Sequence, residues 1–270
     1  MARKMKTNTK FFVVFLIVLF SCTNSHIPKK CDLPELKKES FLHIKTLASF
    51  RTCGESSCEE IPSGASVASG FIVSNVGNDS IGLTAGHVCE TMPPPPLLNV
   101  EVVQKIKVYL WGGAVFDAQI EHIIKEVDMC ILRIKNVRIP PLKLATKAPE
   151  HGDEAYTMAA PYGIFDPELL LVFHGTYSGV ALNVPISDSK QVFKALDAYT
   201  IPTRSGSSGS PILNNKGEVI GMTIMSMRSL ENMCLSPTFN NIKSVLTSYL
   251  GETRARHYMP NSKSYIIYKY

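Results

Sequence analysis

The chain has 270 residues, 45% of them hydrophobic and 19% charged, with seventeen Gly, seventeen Pro and a formal net charge of +5. That length suits one domain of two sub-barrels or two small domains, and the abundant turn residues favour short strands over long helices. The basic excess lies partly in the first ten residues and in a C-terminal stretch. No basic face interleaved with aromatics marks the body of the chain, which excludes a nucleic-acid-binding reading.

Arg3, Lys4, Lys6 and Lys10 precede an unbroken apolar run, FFVVFLIVLF, at residues 11–20. Ten helical residues span only about 15 Å of a roughly 30 Å hydrocarbon layer. The run is therefore too short to cross a membrane comfortably and suits the core of an export signal, residues 1–22. It ends Leu19-Phe20-Ser21-Cys22, which resembles a bacterial lipoprotein processing site. Cys22 is thus a candidate lipid acceptor, and the expected location is exported: periplasmic, extracellular or anchored to a membrane by that lipid. Residues 23–40 are polar, with Pro28, Pro34 and several Lys, and read as a tether to a domain at 41–250.

Seven Cys stand at 22, 31, 53, 58, 89, 130 and 234. An odd count in an exported protein leaves one over, and lipidation of Cys22 would account for it. Cys53 and Cys58, in RTCGESSC, are close enough to clip a small loop. Cys130, inside an apolar run, reads as a buried free thiol. No Cys/His spacing reads as a zinc site.

From residue 41 short apolar runs are cut by turn residues. SGFIVS (69–74) and SIGLTAG (80–86) flank Asn75-Val76-Gly77-Asn78-Asp79, a hairpin loop. Residues 100–111, 115–124 and 129–134 read as strands, and Pro93 to Pro96 as a stiff loop. Further strands are expected at 155–159, 170–180, 192–200, 211–214 and 218–226, the last two joined by a turn at Asn215-Lys216-Gly217. Pro237-Thr238 opens one helix, in which Phe239, Ile242, Val245, Leu246 and Leu250 recur at helical spacing. Gly251 is expected to stop it, leaving a tail at 251–270. Many short strands with one late helix predict an all-β barrel or sandwich.

Three segments carry chemistry. In Thr84-Ala85-Gly86-His87-Val88-Cys89 small residues precede a histidine and leave its imidazole free to enter a cleft. Alone, such a histidine is as easily a surface or core residue. In Val127-Asp128-Met129-Cys130-Ile131-Leu132 one carboxylate opens an apolar run. Burying it is costly unless something hydrogen-bonds it; a histidine N–H would do so and would fix the basic tautomer. The competing carboxylate, Asp117 in VFDAQI, falls where alternation puts it on a solvated face. The third segment is Arg204-Ser205-Gly206-Ser207-Ser208-Gly209-Ser210-Pro211. A serine with glycines two before and one after it can sit on a tight loop whose N–H groups converge, as an oxyanion hole requires. A flexible Gly/Ser linker fits poorly, because strand-like runs follow at once.

The order His87, Asp128, Ser208 resembles the trypsin-like serine protease superfamily, with its TAxHC, D-x-A-x-L and G-x-S-G-G/S-P segments. The likeness is strongest to the bacterial branch of glutamyl endopeptidases and Deg proteases. GSSGSPILNNKGEVIG is similar to both, SGFIV matches the strand before the histidine loop, and GDEAYTMAAPYG (152–163) resembles their GDxVxxxGxPxG stretch. It spans about residues 60–226. Ser207 stands where the pattern has Asn or Asp, Ser210 where many members have Gly, and no PDZ domain follows, which speaks against a full Deg protease.

The resemblance implies two six-stranded antiparallel β-barrels with a C-terminal helix. It implies a serine endopeptidase with Ser208 as nucleophile, His87 as general base and Asp128 orienting it. The N–H groups of Gly206 and Ser208 would form the oxyanion hole, substrates would be proteins or peptides, and no metal or cofactor is expected. The base of the primary pocket falls on Pro202, where Arg/Lys-specific relatives carry Asp. Glutamate-specific relatives place Thr five before the serine, matched by Thr203, and His fifteen after it, where this chain has Thr223. With Ile224 and Met225 at the pocket walls, a small or medium aliphatic P1 residue is expected. The alternative is an inactive trypsin-like scaffold serving as an exported binding protein. Such relatives lose a triad member, and all three residues stand here.

Overall fold

A computed structural model describes residues 33–54, 57–91, 100–185, 192–227 and 232–258, the last seven along the backbone only. The export signal, Cys22, Cys31, the Pro93–Pro96 loop and residues 259–270 lie outside the described residues. Leu33 ends one unit, and every element below belongs to the other, Pro34–Tyr270.

Six strands close an antiparallel barrel in the order β1-β2-β3-β6-β5-β4. They are β1 (Phe41–Cys53), β2 (Cys58–Val76), β3 (Asp79–Ala85), β4 (Glu101–Leu110), β5 (Val115–Ile124) and β6 (Met129–Ile134). The β2–β3 turn is tighter than the expected loop, with Val76 paired to Asp79. β1 shows no alternation because Phe41, Leu42, His43 and Ile44 are all buried. A strand covered on both faces loses the two-residue rhythm by which strands are read. Residues 34–40, expected within the tether, already pack on this barrel: Leu36 joins its core, and Ser40 Oγ donates to the Pro140 carbonyl at 2.6 Å.

The second sheet runs β11-β10-β7-β8-β9-β13-β12. Its strands are β7 (Glu154–Ala159), β8 (Leu171–Pro185), β9 (Val192–Tyr199), β10 (Pro211–Leu213), β11 (Val219–Met222), β12 (Met225–Ser226) and β13 (Cys234–Pro237). The sequence reads 218–226 as one strand. Here it divides into β11 and β12 because Thr223 turns its backbone to the serine loop, accepting from Gly209 N–H at 2.6 Å and donating to the Ser210 carbonyl at 2.9 Å. The two ends of the sheet are therefore neighbours in the chain.

Among the described residues two α-helices join these sheets, α1 (Gly86–Cys89) and α2 (Phe239–Tyr258). Thr238 caps α2 by accepting the Asn241 N–H at 3.2 Å, and Asp197 accepts the Phe239 N–H at 2.8 Å; both satisfy donors that a helix start leaves open. Gly251 does not end α2. It is exposed, and a glycine inside a helix costs only about 1 kcal/mol against alanine, so the helix continues to Tyr258.

Two disulfides are present among the described residues. Cys53–Cys58 joins the outer ends of β1 and β2, whose register pairs these residues directly. Cys130 is not a free thiol: it is bonded to Cys89 across 41 residues of chain. The apolar run around Cys130 signalled burial correctly, but its partner reaches it only through folding. Among the described residues the free thiol is Cys234, which is buried and pushed up to about 12 by that burial. Removing the Cys89–Cys130 bond as the double Ala variant is expected to lower unfolding stability by roughly 2–5 kcal/mol in denaturant titration. An unchanged midpoint would contradict a structural role.

His43 lies buried on β1, stacked 5.1 Å from Phe165 and tilted 5.7 Å from Tyr109. Its Nδ1 has no hydrogen-bond partner. Burial, aided by the Lys45 charge, lowers it to about 4. Below pH 6.5 the unfolded imidazole takes a proton that the folded one refuses until about pH 4, so stability is lost as pH falls across that window. Wild type is therefore expected to lose melting temperature between pH 7 and pH 4 more steeply than His43→Phe; parallel profiles would contradict this.

Candidate active site

Two of the candidate residues sit on elements too short to hold themselves. His87 lies on the single turn α1, and an isolated turn is unstable in water. Asp128 follows a 3-10 turn, Lys125–Val127, with φ 50° and ψ 54°. That left-handed conformation costs a residue with a Cβ roughly 1–2 kcal/mol. Each element is held by the other. The Gly86 N–H donates to the Asp128 carbonyl at 2.9 Å, and the His87 N–H donates to Asp128 Oδ1 at 2.7 Å. Asp128 Oδ2 then meets His87 Nδ1 at 2.8 Å. Beyond this bridge β3 and β6 pair Ala85 with Met129 and Thr84 with Cys130, and the Cys89–Cys130 disulfide fastens the far end of α1 to β6.

His87 Nε2 lies 2.9 Å from Ser208 Oγ, so the structure brings His87, Asp128 and Ser208 into one hydrogen-bonded row. An ionised carboxylate can only accept. Nδ1 therefore carries the proton, and Nε2 presents its lone pair to the hydroxyl. The Asp128 side chain is 14% exposed and that of His87 48%, an arrangement that shields the carboxylate and leaves the imidazole edge open. Burial pulls the His87 imidazolium down, but the hydrogen bond and charge of Asp128, with Glu90, outweigh it, and the net direction is up. Asp117 is elsewhere, on the surface of β5, paired with Lys107 at 2.8 Å.

The serine loop is shaped by its glycines. Gly206 has φ 94° and Gly209 φ 87°. A Cβ on Gly206 would lie 2.6 Å from the Ala160 carbonyl oxygen, and one on Gly209 would lie 2.1 Å from the Ser69 carbonyl oxygen. Both positions combine an unfavourable dihedral with no space, so only glycine fits. Among the described residues the N–H groups of Gly206 and Ser208 donate to no backbone carbonyl, whereas those of Ser207, Gly209 and Ser210 do. Backbone donors left unpaired in a turn are the kind of group that receives an anion.

Ser69, which the sequence reading passed over, couples this loop to the first barrel. Its N–H donates to the Ser208 carbonyl at 2.8 Å, and its hydroxyl donates to the Gly206 carbonyl at 2.8 Å. The same oxygen accepts the Ala160 N–H at 3.2 Å, and Thr84 Oγ1 donates to the Ser69 carbonyl at 2.7 Å. The only signal in the sequence was SGFIV itself, whose serine is fully buried in the fold.

Of the candidate pocket residues, Pro202 is half-buried. Thr203 is buried, and its hydroxyl has no partner. Thr223 is buried with its side chain beside the Cys234 thiol. Ile224 is buried and donates its N–H to the Leu235 carbonyl at 2.9 Å, and Met225 packs partly buried against the core. Among the described residues no three His, Cys, Asp or Glu side chains converge in a metal-binding cluster.

Comparison with known proteins places the chain in a family. The trypsin-like peptidase domain family matches residues 68–222, more than half of the chain. HhoA of Synechocystis sp. is 32% identical over 161 residues, 58% of this chain and 36% of its own length. The serine protease HTR4 of Rattus norvegicus is 25% identical over 210 residues, 77% of this chain and 38% of its own. The chain thus spans well under half the length of these relatives. Among solved structures, the active form of the Rv3671c protease from M. tuberculosis aligns with TM-score 0.57 at 17% identity, covering 78% of this chain and 81% of that one. The chain belongs to the trypsin-like peptidase domain family, with a trypsin-like fold and serine protease homologues.

Proposed function

We propose that the protein is a serine endopeptidase that cleaves peptide bonds through an acyl-enzyme on Ser208. The observation that carries this reading is the row Asp128 Oδ2, His87 Nδ1, His87 Nε2, Ser208 Oγ, with spacings of 2.8 and 2.9 Å, on a loop whose Gly206 and Ser208 N–H groups donate to no backbone carbonyl. Ser208 Oγ attacks the scissile carbonyl carbon while Nε2 takes its proton. Asp128 keeps the imidazole oriented and stabilises its cation. The Gly206 and Ser208 N–H groups bind the oxyanion; one such donor is worth roughly 3–4 kcal/mol in comparable sites. His87 then passes the proton to the leaving amine, and a water molecule, deprotonated by His87, attacks the acyl carbonyl and releases Ser208.

The residues at the family's primary-pocket positions, Pro202, Thr203, Thr223, Ile224 and Met225, include no charged side chain. This supports a small or medium aliphatic P1 residue in protein or peptide substrates. The basic and apolar N-terminus supports export, with Cys22 as the lipid-bearing residue. Cleavage of a peptide library, read by mass spectrometry, tests the reading: cleavage after aliphatic residues is the expected result. A sharp preference for Arg or Glu would overturn the pocket assignment, and no cleavage at all would overturn the enzyme.

A further inference from the structure

We propose that the Cys89–Cys130 disulfide is a redox latch on the active site: the folded dithiol is nearly inactive, and oxidation to the disulfide switches it on. The inference rests on the reading of His87, Asp128 and Ser208 as the catalytic row. Cys89 stands two residues after His87, and Cys130 two after Asp128. The covalent link between these two segments therefore flanks the hydrogen bonds that join the imidazole to its carboxylate. Cys53–Cys58 is a different kind of bond, since it joins strand ends already paired in register. Cys89–Cys130 ties down α1, which has little support of its own.

α1 is four residues long, and Ala85 before it offers no side-chain cap. Beyond the bonds of Gly86 and His87 already described, its polar ties among the described residues are few. The Val88 carbonyl accepts from Gln104 Nε2 at 3.1 Å and from Thr46 Oγ1 at 3.5 Å. Next to it, Glu90 pairs with Lys125 at 3.3 Å between exposed side chains. Such contacts are individually weak. Reduction does more than cut a tether. Both cysteines are buried, Cys89 2% and Cys130 0% exposed, and unbonded sulfurs keep a van der Waals separation that a bonded pair does not. A close-packed interior has no room to spare for it. Cys130 cannot yield, because β6 is paired on both sides, with β3 and β5. The room must come from α1, which carries His87. Asp128 is also affected, since its left-handed conformation lasts only while its surroundings impose it. A misplacement of about 1 Å at a catalytic group costs on the order of a hundredfold in rate.

The oxidation balances simply. Each thiol gives up one proton and one electron, and the bond between the two sulfurs forms as the disulfide of glutathione or of a protein oxidant is broken to two thiols. A reducing compartment keeps the latch open, and the oxidising destination of an exported chain closes it. Once closed, the buried bond is shielded from thiols.

The test follows activity against the state of this one pair. The full chain is unfolded, reduced and refolded under dithiothreitol, then treated with glutathione disulfide while alkylation and peptide mapping follow each thiol. The dithiol is expected to show native circular dichroism and a kcat about a hundredfold below the oxidised protein. Its kcat/KM should also rise with pH through a lower midpoint, because Asp128 no longer holds the imidazole. Activity should return with the same time course as the loss of the Cys89 and Cys130 thiols. Cys53→Ala/Cys58→Ala should respond as wild type does. Cys89→Ala/Cys130→Ala should fold, ignore the oxidant and stay at least about tenfold below oxidised wild type; it decides the matter if the dithiol does not fold. A folded dithiol or folded double variant with wild-type kcat overturns the latch, as does recovery that follows another pair. Inactivity that comes with loss of native circular dichroism in both also overturns it, because the bond then holds the fold and not the site. If oxidised wild type does not react with a fluorophosphonate at Ser208, the functional reading itself fails. If oxidised and reduced proteins react equally well, only the latch fails.

Discussion

Ser208→Ala is expected to fold as the wild type does and to cleave peptide about a millionfold more slowly, the scale of loss when a nucleophile of this kind is removed. The substitution deletes one oxygen. The N–H of residue 208 stays in place, the residue 208 carbonyl still accepts from Ser69, and both flanking glycines keep their dihedrals. Circular dichroism and melting temperature should therefore match wild type while kcat collapses. His87→Ala should cost about as much alone, and the double variant little more, because the two groups act as one unit. Additive losses would mean that the 2.9 Å contact between them is not used in the reaction.

The second large effect concerns Asp128. Asp128→Asn preserves shape but is expected to lower kcat about ten-thousand-fold, because an amide can donate to Nδ1 and so hold the wrong tautomer. The pH profile gives an independent reading. Burial alone would depress the His87 imidazolium, and the hydrogen bond and charge of Asp128 reverse that direction. A general base must be neutral to act, so wild-type kcat/KM should rise with pH through a midpoint above the ordinary 6.5. Removing the carboxylate should move that midpoint down. An unchanged midpoint in Asp128→Asn, or a loss below about tenfold, would place the working carboxylate elsewhere.

How much of this could be read from the chain depended on how local each feature is. His87, Asp128 and Ser208 each sit in a short segment whose composition states its purpose: small residues before an imidazole, one carboxylate opening an apolar run, glycines around a hydroxyl. β4, β5 and β6 fell close to their expected bounds. β1 did not declare itself, because residues 41–44 are buried on both faces. β12 was merged with β11 because the break at Thr223 is made by hydrogen bonds to the distant serine loop. β13 is four residues long and carries no pattern of its own. Cys130 was read as a thiol because pairing with Cys89 exists only once β3 and β6 are side by side. Ser69 stayed hidden for a related reason: it bonds the serine loop partly through its backbone N–H, on a partner far along the chain, and residue type does not encode that.

In the proposed mechanism the chain of hydrogen bonds from Asp128 to Ser208 makes one hydroxyl a nucleophile. The most direct measurement is labelling of the folded protein with a fluorophosphonate, followed by peptide mapping in the mass spectrometer. A single adduct on Ser208, abolished by His87→Ala, is the predicted result. No adduct, or an adduct on another serine with peptide cleavage intact in Ser208→Ala, would contradict it.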